Sequence, residues 1–128
     1  MGITNRVLWR GQALEGWSIY PLPMKDVDSL QFNSPTCVGP CFYQGHFTIA
    51  KAGDTFLDVR SLAKGAVWIN GHSLGRFWDF GPQQTLYVPG VWLKDGENEI
   101  VVFDVTGKGA PSLAGLDHPL LDGPVRPE

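Results

Sequence analysis

The sequence predicts an all-β fold, a two-sheet sandwich of the jelly-roll type. Three observations carry that expectation. Apolar residues recur with period two in short runs, and helical periodicity is nearly absent. Turn residues, with Asn70-Gly71 the clearest, separate the runs at hairpin spacings. Five Trp, seven Phe and three Tyr stand among 16 Gly and 10 Pro, which suits many short strands joined by tight turns. About eight strands fit into 128 residues, the size of one domain. Residues 1–107 read as the sandwich core, and residues 108–128, rich in Pro, Gly and Asp, as a surface-wrapping tail of the same domain.

Taken in order, Arg6–Arg10 and Gly16–Leu22 read as strands joined through Gly11-Gln12. Lys25–Gly39, with its Ser34-Pro35 step, reads as a long connection. Tyr43–Ile49 alternates, with Tyr43, Phe47 and Ile49 on one face and Gln44, His46 and Thr48 on the other. Asp54–Val59 follows, with Leu57 and Val59 on the core side. Ala66–Asn70 and His72–Trp78 flank the Asn-Gly turn. A simple two-residue hairpin sets Ile69 against His72, Trp68 against Ser73 and Val67 against Leu74. Thr85–Val88 is a short strand. Glu99–Val105 is apolar on both faces, which predicts a central strand covered on both sides.

Several functions are disfavoured. The net charge is −3 with no basic cluster, which argues against a nucleic-acid partner. No apolar run approaches a bilayer span. Cys37 and Cys41, four residues apart, read as two free thiols; a disulfide across the small loop, which would suggest an oxidising compartment, is the alternative. No cofactor or metal is expected, because no acidic loop and no His or Cys pattern has ligand spacing. Glycoside hydrolysis needs two carboxylates facing one bond. Asp54 and Asp58 share a strand face roughly 13 Å apart, which fits neither hydrolytic geometry.

Aromatic and polar residues concentrate between Asn70 and Gln84. Sugars stack apolar C–H faces on flat rings, while amides, guanidinium groups and carboxylates bind their hydroxyls. Trp78, Arg76, His72 and Asn70 are therefore the first candidate ligand residues, with Asp79, Gln83 and Trp92 behind them. Burial in the sandwich core is the competing assignment for Trp68, Phe77 and Trp78.

The segments Asp54–Asp58 (DTFLD), Lys64–His72 (KGAVWINGH), Leu74–Trp78 (LGRFW), Gly81–Pro89 (GPQQTLYVP) and Trp92–Asn98 (WLKDGEN) form a specific series. Together with Gly2–Leu8, Trp17–Leu22 and Pro119–Asp122, the series resembles the C-terminal β-sandwich of the family-35 glycoside hydrolases, the β-galactosidases. The resemblance implies a galactose-binding-like jelly roll. It also implies no activity, because that family's catalytic glutamates belong to a separate α/β barrel that no part of this chain matches. It favours an extracellular or periplasmic setting. The expected function is a non-catalytic carbohydrate-binding module for a galactoside or plant polysaccharide. The alternative is a structural sandwich that braces a catalytic barrel in a longer parent chain.

Overall fold

A computed structural model describes residues 5–21, 24–33, 36–107 and 111–121. The Ser34-Pro35 step, Leu22, and residues 108–110 and 122–128 of the expected tail lie outside the described residues. Among the described residues nine strands are formed: β1 (Leu8–Trp9), β2 (Gln12–Ala13), β3 (Cys41–Ile49), β4 (Thr55–Asp58), β5 (Lys64–Ile69), β6 (His72–Trp78), β7 (Thr85–Val88), β8 (Gly96–Asp104) and β9 (Ala114–Leu116). A four-stranded antiparallel sheet runs β3-β8-β5-β6, and a three-stranded sheet runs β7-β4-β9. Their facing sides enclose the main core, to which Leu57, Val67, Ile69, Val88, Ile100 and Val102 contribute. The result is the expected all-β sandwich.

β8 occupies the centre that its doubly apolar sequence predicts. Ile100 and Val102 enter the core between the sheets, while Val101 and Phe103 face the opposite side. That outer side is also covered. Residues Met24–Phe32, with a 3₁₀ turn at Val27–Ser29, lie across it and bury Val27 against Trp68 and Val101. Trp68 is 6% exposed, so it is core. The long connection of the sequence reading is thus a third layer.

The β5–β6 hairpin turns at Asn70 (φ 48°) and Gly71 (φ 78°), the positive-φ pair of a type I′ turn. Its register departs from the simple hairpin. Ile69 pairs with His72 and Trp68 with Ser73 as expected, but Val67 pairs with Gly75, leaving Leu74 as an extra, bulged residue. The expected Val67–Leu74 pairing is corrected accordingly. Leu74 still packs on the core beside Val67 and Ile69. Beyond the bulge the faces exchange: Phe77 enters the core at 5% exposure, whereas Arg76 and Trp78, opposite Ala66 and Lys64, face outward.

Two other expectations are corrected. Residues 16–21 form no strand, and the hairpin is instead the short β1–β2 pair, turned at Arg10 and Gly11, both at positive φ. Cys37 and Cys41 are joined as a disulfide, their Cα atoms 6.1 Å apart. Gly39, at φ 83°, bends the loop between them.

Candidate functional site

β6 is an edge strand, and its outward-facing Trp78 meets both Lys64 of β5 and the turn that follows β6. The Trp78 ring is 53% exposed there. Lys64, its cross-strand partner, holds its ammonium 4.1 Å from the ring centroid. Phe80, 64% exposed, meets the ring edge-on at 5.8 Å. The turn beyond Trp78 is fixed by backbone bonds: Asp79 N–H donates to the Ala63 carbonyl, and Gly81 N–H to the Trp78 carbonyl. Gln83 donates its amide to the Thr85 carbonyl at 3.0 Å. Thr85 accepts from Leu120 N–H, and Gln84 N–H donates to the Leu120 carbonyl, so the C-terminal stretch pins this loop.

Between these groups lies an open groove of about 790 Å³ walled by Lys64, Arg76, Trp78 and Gln83, with Met24 and Phe103 among its apolar lining. A smaller hollow of about 210 Å³ adjoins it at Trp78, lined by Asp79, Arg60 and Gln84 among others. Trp78, Gly81 and Gln83 line both. Among the described residues no ion pair ties Arg76 to Asp79 or to any other carboxylate.

The remaining three candidates sit at the opposite end of β6, roughly 20 Å away for six residues of strand. His72 stacks on Trp92 with centroids 5.0 Å apart and planes 15° from parallel. The Asn70 amide nitrogen donates to the Trp92 carbonyl and to Asn98 Oδ1, and Asn70 Oδ1 accepts from Glu99 N–H. Each end of the Asn70 carboxamide is engaged within the fold. The seven candidate residues therefore fall into two groups: Arg76, Trp78 and Gln83 at the groove with Asp79 in the adjoining small hollow, and Asn70, His72 and Trp92 at the turn. Sequence reasoning missed Lys64 and Phe80. Lys64 meets Trp78 only in the bulged register.

The carboxylates with displaced titration have structural partners. Asp58 is held below the usual carboxylate range chiefly by the Arg60 side chain, which donates Nε at 2.9 Å and Nη2 at 2.6 Å. Asp54 is lowered by the Gly90 N–H first and then by the Tyr87 hydroxyl. Among the described residues no group of three His, Cys, Asp or Glu could hold a metal ion.

A second hollow of about 750 Å³ opens between the two sheets, lined by Tyr43, Phe47, Ile49 and Leu113 among others. It holds none of the seven candidates.

Comparison with known proteins places this geometry. Residues 40–98 match the family described as "Beta-galactosidase, galactose-binding domain". This chain carries a β-galactosidase galactose-binding domain. The matched stretch runs from β3 to the start of β8 and contains both ends of β6. The human protein named "Beta-galactosidase-1-like protein 3" is 40% identical over 131 residues, covering 94% of this chain and 19% of its own length. The "Beta-galactosidase" of Xanthomonas manihotis is 42% identical over 88 residues, covering 68% of this chain and 15% of its own. "Beta-galactosidase 17" of Arabidopsis thaliana is 32% identical over 140 residues, covering 91% and 20%. The chain thus spans about a fifth of the curated relatives it matches or less. The described residues form a β-sandwich and include no α/β barrel.

Proposed function

We propose that this galactose-binding-type domain binds a galactoside or plant polysaccharide in the groove beside Trp78, without catalysing a reaction on it. The observation that carries the reading is the half-exposed indole of Trp78, standing at a groove between Lys64, Arg76 and Gln83 with Phe80 at its edge. A pyranose offers the indole its apolar C–H face. Its hydroxyls reach Arg76 and Lys64 as donors, and the Gln83 carboxamide oxygen as an acceptor, while Asp79 lines the adjoining small hollow. A sugar stacking on the Lys64 side displaces a flexible ammonium, which then becomes a hydroxyl donor. The partly buried Asn70–Trp92 end of β6 serves the fold rather than the ligand in this reading.

The test is affinity electrophoresis and calorimetry of the purified chain against galactans, xyloglucan, β-glucans, xylans and free galactose. Trp78→Ala removes the platform and is expected to weaken binding at least tenfold, about 1.4 kcal/mol, while the melting temperature stays within about 2 °C. His72→Ala is expected to leave affinity within twofold. Binding that survives the double substitution Trp78→Ala and Arg76→Ala, with the fold intact, refutes this site. Silence across the panel leaves the bracing function as the better reading; the exposed apolar surface of residues 8–20 is the observation that favours it.

A further inference from the structure

Six of the thirteen large apolar side chains exposed among the described residues fall between positions 8 and 20. Leu8 is 58% exposed, Trp9 65%, Leu14 41%, Trp17 65%, Ile19 86% and Tyr20 84%. A monomeric surface rarely gathers so much apolar area in one stretch. At roughly 200 Å² for a large side chain, these exposures amount to about 800 Å², which is one partner's share of a standard protein interface.

The arrangement says how that surface is used. Leu8 pairs with Ala13 and Trp9 with Gln12, and Leu14 N–H donates to the Val7 carbonyl. Paired residues share a face, so Val7, Trp9 and Leu14 lie on one side of the hairpin and Leu8 and Ala13 on the other. Both sides are therefore apolar, the pattern of strands covered on both faces. A two-stranded hairpin in water is marginal by itself. Among the described residues the hydrogen bonds of this stretch are internal to it, including Trp17 Nε1–H to the Leu14 carbonyl, so the indole can be buried with its polar atom satisfied. The outer edges of β1 and β2 remain open to pairing.

We infer that the β1–β2 hairpin and the segment through Tyr20 are a docking element, inserted as added strands into a sheet-bearing neighbouring domain of the same parent polypeptide. The inference rests on the accessory-domain reading and not on sugar binding. Relatives that extend over about five times the matched length supply room for such a domain. The size of the patch fits a permanent contact, and its two apolar faces fit insertion between layers rather than contact with one flat surface.

The test compares the 128-residue chain with a chimera in which it replaces its counterpart in the human beta-galactosidase-1-like protein 3. Each is made with the native hairpin and with the triple substitution Leu8→Asp, Trp9→Asp and Leu14→Asp. In the isolated chain, fast amide exchange at positions 7–20 is expected, with a melting temperature that the triple substitution moves by less than about 2 °C. In the chimera the same amides are expected to exchange at least 100-fold more slowly, and the triple substitution to lower folded yield and melting temperature. Slow exchange in the isolated chain, or a dimer that the triple substitution dissolves, assigns the patch to the chain's own sandwich or to a second copy and overturns the inference. A folded chimera whose hairpin exchanges fast overturns the docking alone. A chimera that fails to fold with either hairpin overturns the accessory placement along with it.

Discussion

Asn98→Ala tests the strut that holds the β5–β6 turn. Asn98 is 1% exposed. Its Oδ1 accepts from Asn70 Nδ2 and from Lys94 N–H, both at 2.8 Å, and its Nδ2 donates to the Lys94 carbonyl at 2.8 Å and the Gly96 carbonyl at 3.1 Å. Four hydrogen bonds at a net of about 0.5–1.5 kcal/mol each set the scale. Lys94 lies at the surface, where water replaces part of the loss, so the expected cost is about 3–4 kcal/mol. For a domain of this size that is a fall of about 12–16 °C in melting temperature, read by calorimetry or circular dichroism. Asn98→Asp supplies the signature. It keeps the acceptor but turns a carboxylate oxygen toward two carbonyls, which raises the carboxyl pKa of that variant in the folded state. Stability in Asn98→Asp is then lost as pH rises through that pKa, and the deficit against the native chain narrows in acid. A loss below about 1 kcal/mol for Asn98→Ala refutes the reasoning, because the loop from Leu93 to Asn98 would then be ordered without the carboxamide.

Three further outcomes follow from local geometry. Gly65→Ala drives a Cβ into the Phe103 carbonyl oxygen and to 2.8 Å from the Phe77 ring, so soluble expression or cooperative melting is expected to be lost; a variant that melts within a few degrees of the native chain contradicts that approach. Cys37→Ser opens the four-residue-separated disulfide and is expected to cost about 2 kcal/mol on the chain-entropy scale, measured by urea unfolding with and without reductant. The folded pKa of Asp58 is depressed by Arg60, so its contribution is present above the ordinary carboxylate range and lost as pH falls through the lower folded value. Asp58→Asn is therefore expected to flatten the fall in melting temperature below about pH 4, and an unchanged acid limb would count against the pairing.

Strand positions and faces were largely legible because they depend on period-two patterning that the chain carries locally. Glu99–Val105 announced a centre strand by being apolar on both sides, and Asn70-Gly71 announced a turn that only positive-φ residues make easily. What was not legible depends on residues distant in sequence. Nothing within Met24–Phe32 shows that it covers Trp68, because that layer is defined by the sheet beneath it. The bulge at Leu74 involves no unusual residue except Gly75, and its effect is visible only against β5. The seven candidate residues looked like one cluster because sequence proximity along β6 hides the roughly 20 Å between strand ends. Lys64 was invisible for the same reason in reverse, since it is remote in sequence and adjacent in space.

The extra residue in β6 also sets how members of this family should be compared. On the His72 side of Leu74 and on the Trp78 side, odd and even positions exchange their meaning: unbroken alternation from the turn would put Trp78 inside and Phe77 outside, and the extra residue reverses that count. Deleting that residue would make the ladder continuous and leave Phe77 and Trp78 opposite Gly65 and Lys64, on the faces they now occupy. A relative that lacks it would carry its aromatic platform one position away, and an alignment that slides across the gap would equate a core residue with a surface residue. Insertions and deletions at this point, rather than substitutions, are then what an alignment must place correctly before the groove residues of two relatives can be compared.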